Sequence, residues 1–169
     1  MTELGTLGGS ASYASAINDN GQIVGYSMTS SGDKHAFQYS NGTMTDLDTL
    51  GGSASYASAI NDNGQVVGIS MTITGAYHAF LYNGSTMQDL NSLISPGSGW
   101  ILNTAYSINN LGDIVGAGTY NNNYGNRSRV KVAKLAGKRY FSPFGSCFSR
   151  FLHLLNSSYH IIYLIFRNL

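Results

Sequence analysis

The residues TLGGSASYASAINDNGQ, Thr6 to Gln22, return letter for letter as Thr49 to Gln65. The offset is 43 residues, and comparing 1–43 with 44–86 leaves 31 of 43 positions identical. A third, looser copy begins at Met87. Self-similarity at a fixed period of this length marks a repeat architecture, in which one unit is too small to bury its own apolar face and stacks on the next to do so. What one unit folds into therefore decides the fold of the array.

Inside the unit two-residue alternation dominates and a 3.6-residue period is not evident, so it reads as strands. Alternation puts Tyr13, Ser15 and Ile17 on one face and Ala14 and Ala16 on the other. Asn18-Asp19-Asn20-Gly21 is a turn signal, and the β-prone run of Ile23 and Val24 within Gln22 to Met28 completes a hairpin. A polar link, Thr29 to Lys34, leads to His35-Ala36-Phe37-Gln38-Tyr39, in which His35, Phe37 and Tyr39 share a face. Asn41-Gly42 then turns the chain into Met44 to Leu47. Four short strands joined by tight turns are the content of one propeller blade, whose period is roughly 40 to 50 residues. The expected fold class is all-β: consecutive antiparallel sheets forming an incomplete propeller-like array of about two to three blades, with Ala, Gly and Ser letting neighbouring sheets approach closely.

The third copy keeps Leu90, Leu93, Ala105, Ile108, Asn109, Gly112, Ile114, Val115 and Gly116 but carries a five-residue insertion within Ile94 to Trp100. Terminal repeats cap an array and are atypical for that reason. Trp100 is the candidate cover for the exposed end.

Composition divides the chain. Only 10% of residues are charged, against roughly 25% in an average globular protein, which suits a polar, weakly charged β surface. Residues 1–126 hold eight acids and one base, Lys34, for a net charge of −7; residues 127–169 hold eight bases and no acid, for +8. Glycines fall from 19 to two across the same point. The expected organisation is a repeat region over 1–126 and a basic, apolar tail over 127–169 that is irregular or partly helical and stands apart from the repeat fold. In the tail, Arg127, Arg129, Lys131, Lys134, Lys138 and Arg139 lie beside Tyr140 and Phe141, a pattern compatible with nucleic-acid binding. Phe148 to Phe166 is mostly apolar but interrupted by His153, Asn156, Ser157, Ser158 and His160, whereas a spanning helix needs about 20 predominantly apolar residues. Ile161 to Phe166 is an uncharged, β-prone run of the aggregating kind. An unselected tail is the preferred reading, so neither a nucleic acid nor a membrane is the expected partner. The single Cys147 has no intramolecular disulfide partner and fits no metal or redox spacing.

The sub-motifs LGTLGG, ASAINDNGQIVG and HAF, the last at His35–Phe37 and His78–Phe80, occur in order and resemble the HAF repeat of extracellular bacterial proteins. The likeness covers about residues 1–120, and DLNSLISPGSGW with AYSINNLGDIVGAGTY is similar to the last repeat of such proteins. It implies a secreted or surface-exposed, propeller-like β-repeat protein with no established activity. Such proteins usually begin with an export signal and many end in a Pro-Glu-Pro sorting motif with an anchor, and neither pattern is found here. Met1-Thr2-Glu3-Leu4 aligns with Met44-Thr45-Asp46-Leu47, which gives the expectation of a reading frame that begins upstream. Asn126-Arg127-Ser128-Arg129 stands where a third His-Ala-Phe strand is due, which gives the expectation of a frameshift or fusion there.

Candidate sites are few. Asn18-Asp19-Asn20-Gly21 and Asn61-Asp62-Asn63-Gly64 are rich in oxygen donors, as a calcium loop is, yet the EF-hand needs further ligands and a bidentate Glu, and the third copy reads Asn109-Asn110-Leu111-Gly112. A hairpin turn with Asn and Gly in left-handed positions is the preferred reading. His35 and His78 occupy equivalent places and would share a metal only if both faced one axis, so a stabilising histidine bonded to backbone is preferred. Gly8-Gly9-Ser10 lacks the Lys and following helix of a phosphate loop and reads as a tight turn. No nucleophile elbow or triad is visible. The expectation is no catalytic, cofactor or metal residue, a non-enzymatic extracellular or surface module in binding or structure, and self-association through exposed blade faces. The alternatives are a fragment of a propeller-type hydrolase or lyase and a truncated, frameshifted product without function.

Overall fold

The computed structural model describes residues 3–121. Strands β1 (Gly8–Ile17), β2 (Ile23–Thr29), β3 (Lys34–Ser40) and β4 (Thr43–Asp46) pair in order as an antiparallel meander. Strands β5 (Gly51–Ile60), β6 (Val66–Thr72), β7 (Tyr77–Tyr82) and β8 (Met87–Asp89) repeat it 43 residues on. A short 3-10 turn, Leu90–Leu93, leads across the insertion to a third antiparallel pair, β9 (Trp100–Ile108) and β10 (Ile114–Tyr120). The described residues are thus all-β, with no α-helix among them. One parallel bridge, Lys34 to Ala54, links the first sheet to the second. The boundary at Asn126 and the tail lie outside the described residues, so the expectations placed on them, including Cys147 and Phe148 to Phe166, stay with the sequence.

The β1–β2 register recurs pair for pair in β5–β6: Ser12 faces Ser27 as Ser55 faces Ser70, and Tyr13 faces Tyr26 as Tyr56 faces Ile69. Both pairings slip by one residue between Ala14 and Ala16, and between Ala57 and Ala59. This bulge corrects the alternation expected for the first strand, in which Ala14 stood opposite Ile17. An extra residue in one strand turns the following side chains over, so Ala57 and Ile60, the counterparts of Ala14 and Ile17, enter one apolar cluster. A glycine makes room for the bulge. A Cβ on Gly25 would strike the Tyr13 carbonyl, one on Gly68 that of Tyr56, and one on Gly116 that of Thr104. The alternation holds in the flat β7: Phe80 packs to one side, Ala79 and Leu81 to the other.

The sheets bury themselves face to face. Between sheets one and two, Val24, Ala36 and Leu47 meet Ala57, Ile60, Val66 and Phe80. Between sheets two and three, Val67, Ala79 and Leu90 meet Leu102, Ala105, Ile108 and Ile114. The trailing set Val24, Ala36 and Leu47 becomes Val67, Ala79 and Leu90 at the 43-residue offset, and the leading set Ala57, Ile60 and Val66 becomes Ala105, Ile108 and Ile114 at 48. The five extra residues are the insertion. One stacking contact is therefore built twice, and its small residues admit a second sheet closely enough to exclude water from Phe80 and Leu90, exposed by 0% and 1%.

Candidate functional site

Polar side chains join the repeats at one edge of this stack, in the turns between the first two strands of each copy. Asn18 uses its whole amide: Oδ1 accepts the Asn20 and Gln22 amides at 3.1 and 2.9 Å, while Nδ2 donates to Gln22 Oε1 at 2.8 Å and to the Asn61 carbonyl of the next turn at 2.9 Å. Asn61 does the same one copy on, with Nδ2 donating to the Asn109 carbonyl at 2.9 Å. Around this rail, Asp62 Oδ1 accepts the Asp19 amide at 3.0 Å, and the Asp62 amide donates to Asn110 Oδ1 at 2.9 Å. Asn20 and Asn63 donate to the Asp62 and Asn110 carbonyls. The turns do have Gly21, Gly64 and Gly112 at positive φ, as a tight turn requires, but the expected left-handed Asn is corrected: none of their Asn residues has a positive φ. Their Asn residues, however, form a ladder from sheet to sheet, which reading each turn alone does not anticipate.

The ladder also accounts for the carboxylate that suggests calcium. Asp62 accepts from Asp19 on one oxygen and from Asn110 Nδ2 at 2.6 Å on the other. Among the described residues no three His, Cys, Asp or Glu side chains converge to hold a metal ion.

His35 and His78 are each turned onto a carboxylate of their own repeat. His35 Nδ1 lies 2.8 Å from Asp46 Oδ2, and His78 Nδ1 lies 2.6 Å from Asp89 Oδ2. The sequence reading of a backbone partner is corrected here: β3 and β4, and likewise β7 and β8, pair so that a residue at the start of one and a residue at the end of the other meet. The aspartates are held in turn, because Asp46 Oδ1 accepts the Asp48 amide and Asp89 Oδ1 accepts the Asn91 amide, both at 2.8 Å. His, Asp and the chain leaving the sheet form one connected unit, repeated at the 43-residue offset.

Gly8-Gly9-Ser10 is the start of β1 rather than a tight turn. Gly9 has no Cβ because Met28 of β2 lies against it; a Cβ there would come within 2.6 Å of the Met28 Cβ. The insertion borders an open cleft of about 460 Å³ walled by His78, Asn91, Ser92, Pro96 and Trp100. Trp100, the expected end cover, packs against Tyr120 with ring centroids 5.1 Å apart and forms part of that wall.

The model of a family described as a protein of unknown function, DUF3466, matches residues 6–124. The chain belongs to this family. The DUF3466 match spans all three copies, from the start of the first exact repeat to just past β10. No curated protein and no solved structure matches the chain.

Within the DUF3466 region, sequence reasoning missed two groups of residues. The first is Asp46 and Asp89, although each stands eleven residues after its histidine in both copies. The second is the fully buried serines Ser27, Ser55 and Ser70. Ser55 Oγ accepts the Ala36 amide of the preceding sheet at 2.8 Å and donates to the Asp48 carbonyl at 2.6 Å, while Ser27 and Ser70 accept the Leu7 and Leu50 amides. A hydroxyl in a dry interface must be bonded, and these serines sit beside the register shifts between Gly8 and Ser12 and between Gly51 and Ser55.

Proposed function

We propose that this chain is a non-enzymatic β-repeat module acting in binding or surface structure outside the cell, its stacked sheets serving as blades of a propeller-like array. One observation carries the reading: the polar side chains that recur with the repeat are used by the scaffold. Asn18, Asn61 and Asn109 organise the turns, Ser55 bonds across sheets, and His35 and His78 fasten strand ends through Asp46 and Asp89. A weakly charged surface and the resemblance to the HAF repeat support the extracellular setting. A second reading, a hydrolase or lyase whose site is completed by further blades, is favoured by the His78–Asp89 pair at the edge of the cleft that Trp100 walls.

His78→Gln separates the two. On the scaffold reading it removes one charge-assisted bond and lowers stability by about 1–2 kcal/mol, seen as a lower Tm, while a panel of chromogenic esters, phosphates and glycosides shows no turnover by either chain. Turnover by the unaltered chain that disappears in His78→Gln at unchanged Tm would overturn the non-enzymatic reading.

A further inference from the structure

We infer that the outer face of the first sheet binds a second copy of this chain, so that two chains close head to tail through the contact that already joins the repeats within one chain. The closure rests on the propeller-like reading above; the docking face rests on a comparison internal to the molecule. Residues 6–22 and 49–65 are identical in sequence, so any difference in their exposure comes from their neighbours. Ile17 is 66% exposed where Ile60 is 8% exposed. Ala14 is exposed and Ser12 half-buried, where Ala57 and Ser55 are buried at 3% and 0%. The second copy differs in having sheet one against it; in the first copy Phe37, the counterpart of Phe80, is still buried at 0% exposure, so the uncovered part of the face is the stretch that carries Ala14 and Ile17.

The contact such a neighbour would make is known because the fold builds it twice. The neighbour brings an apolar Val, Ala and Leu set, as Val24, Ala36 and Leu47 do; an amide for the serine hydroxyl, as Ala36 does for Ser55; and an Asn side chain for the turn carbonyl, as Asn18 does for Asn61. The far end of the array carries part of that set. Val115 repeats Val24 and Val67 but is half-buried where they are fully buried, and Asn109 is exposed where Asn61 is 3% exposed. Leu111 replaces the Asn20 and Asn63 donors and is 66% exposed, so one rung of the ladder is exchanged for an apolar contact at this junction. The described residues of one chain hold three antiparallel units, and two copies bring six of them together, within the range of roughly four to eight blades in closed propellers. A head-to-tail contact that closes after two copies is a two-fold ring and leaves no open face for further growth.

Sedimentation velocity of the full chain over a range of concentrations tests this. The expected species is a dimer, lost to a monomer of unchanged circular dichroism in Ile17→Glu and in Ala14→Arg, and retained in Ile73→Glu, a residue 85% exposed in the β6–β7 turn. A folded monomer for the unaltered chain, a dimer that survives both face variants, or polymers of indefinite length would each overturn the proposal. Ile60→Glu places the same charge at the covered position and should unfold the array. Unaltered melting in that variant would overturn the stacked-repeat reading itself, whereas a folded wild-type monomer overturns only the docking.

Discussion

Replacing Asn61 with Leu is expected to destabilise the chain by about 3–5 kcal/mol, since each buried group left without its partner costs roughly 1–3 kcal/mol. Leu fills a similar volume, so the loss is one of bonds. The Asn63 and Gln65 amides, Gln65 Oε1 and the Asn109 carbonyl all lose the partner that Asn61 supplies at 2.7–3.1 Å. Asn61 is 3% exposed and its four bonds are part-buried, so water substitutes for the lost partner only in part. The same change at Asn18 removes the same four bonds from a half-buried turn. Water can reach those groups, and the cost should fall to about 1–2 kcal/mol. Chemical denaturation of both variants checks the order, and an Asn18 variant as damaged as the Asn61 variant would argue that the turns act singly rather than as a ladder.

Phe80→Ala is the second large effect, about 3–5 kcal/mol for an aromatic ring removed from a packed site. Phe80 is 0% exposed and is the bulkiest member of the cluster that also holds Val24, Ala36 and Leu47 of the preceding sheet. The residues around it are small or branched and belong to two sheets tied by strand bonds, which limits collapse into the gap. Val24→Ala in the same cluster should couple to it, so that the double variant loses less than the sum of the two. Additive losses from thermal melts would mean that the sheets do not share this core.

The repeat period, the strand content and the tight turns with glycine at their ends were legible in the sequence because each is local: alternation, turn residues and a fixed offset lie within a few residues of one another. The facing of β1 and β5 was not legible. Ala14 and Ala16 look equivalent by alternation, and the bulge between them depends on Gly25 in the partner strand, which lets the Tyr13 carbonyl approach. The histidine partners were missed for a related reason. Asp46 and Asp89 read as strand-end acids, and only the β3–β4 and β7–β8 pairings bring them to His35 and His78. The ladder joins residues 42 to 48 apart, beyond any local pattern. A clue did exist: Asn18, Asn61 and Asn109 stay Asn in all three copies, while the neighbouring Asp19 and Asp62 become Asn110. That is the behaviour of a residue whose amide is needed at both ends, beside one whose side-chain oxygen accepts the preceding turn's amide at Asp62 and Asn110 alike, with Asn110 donating as well. A carboxylate site for calcium would have reversed the pattern.

One sheet-to-sheet contact is built twice in this molecule, at offsets of 43 and 48 residues. Methyl NOE spectroscopy of the full chain tests it most directly. Cross-peaks are expected from Val24 to Ala57, Ile60 or Val66, and the equivalent set from Val67 to Ala105, Ile108 or Ile114. Val24 and Val67 methyls that show only contacts within their own sheets would contradict it.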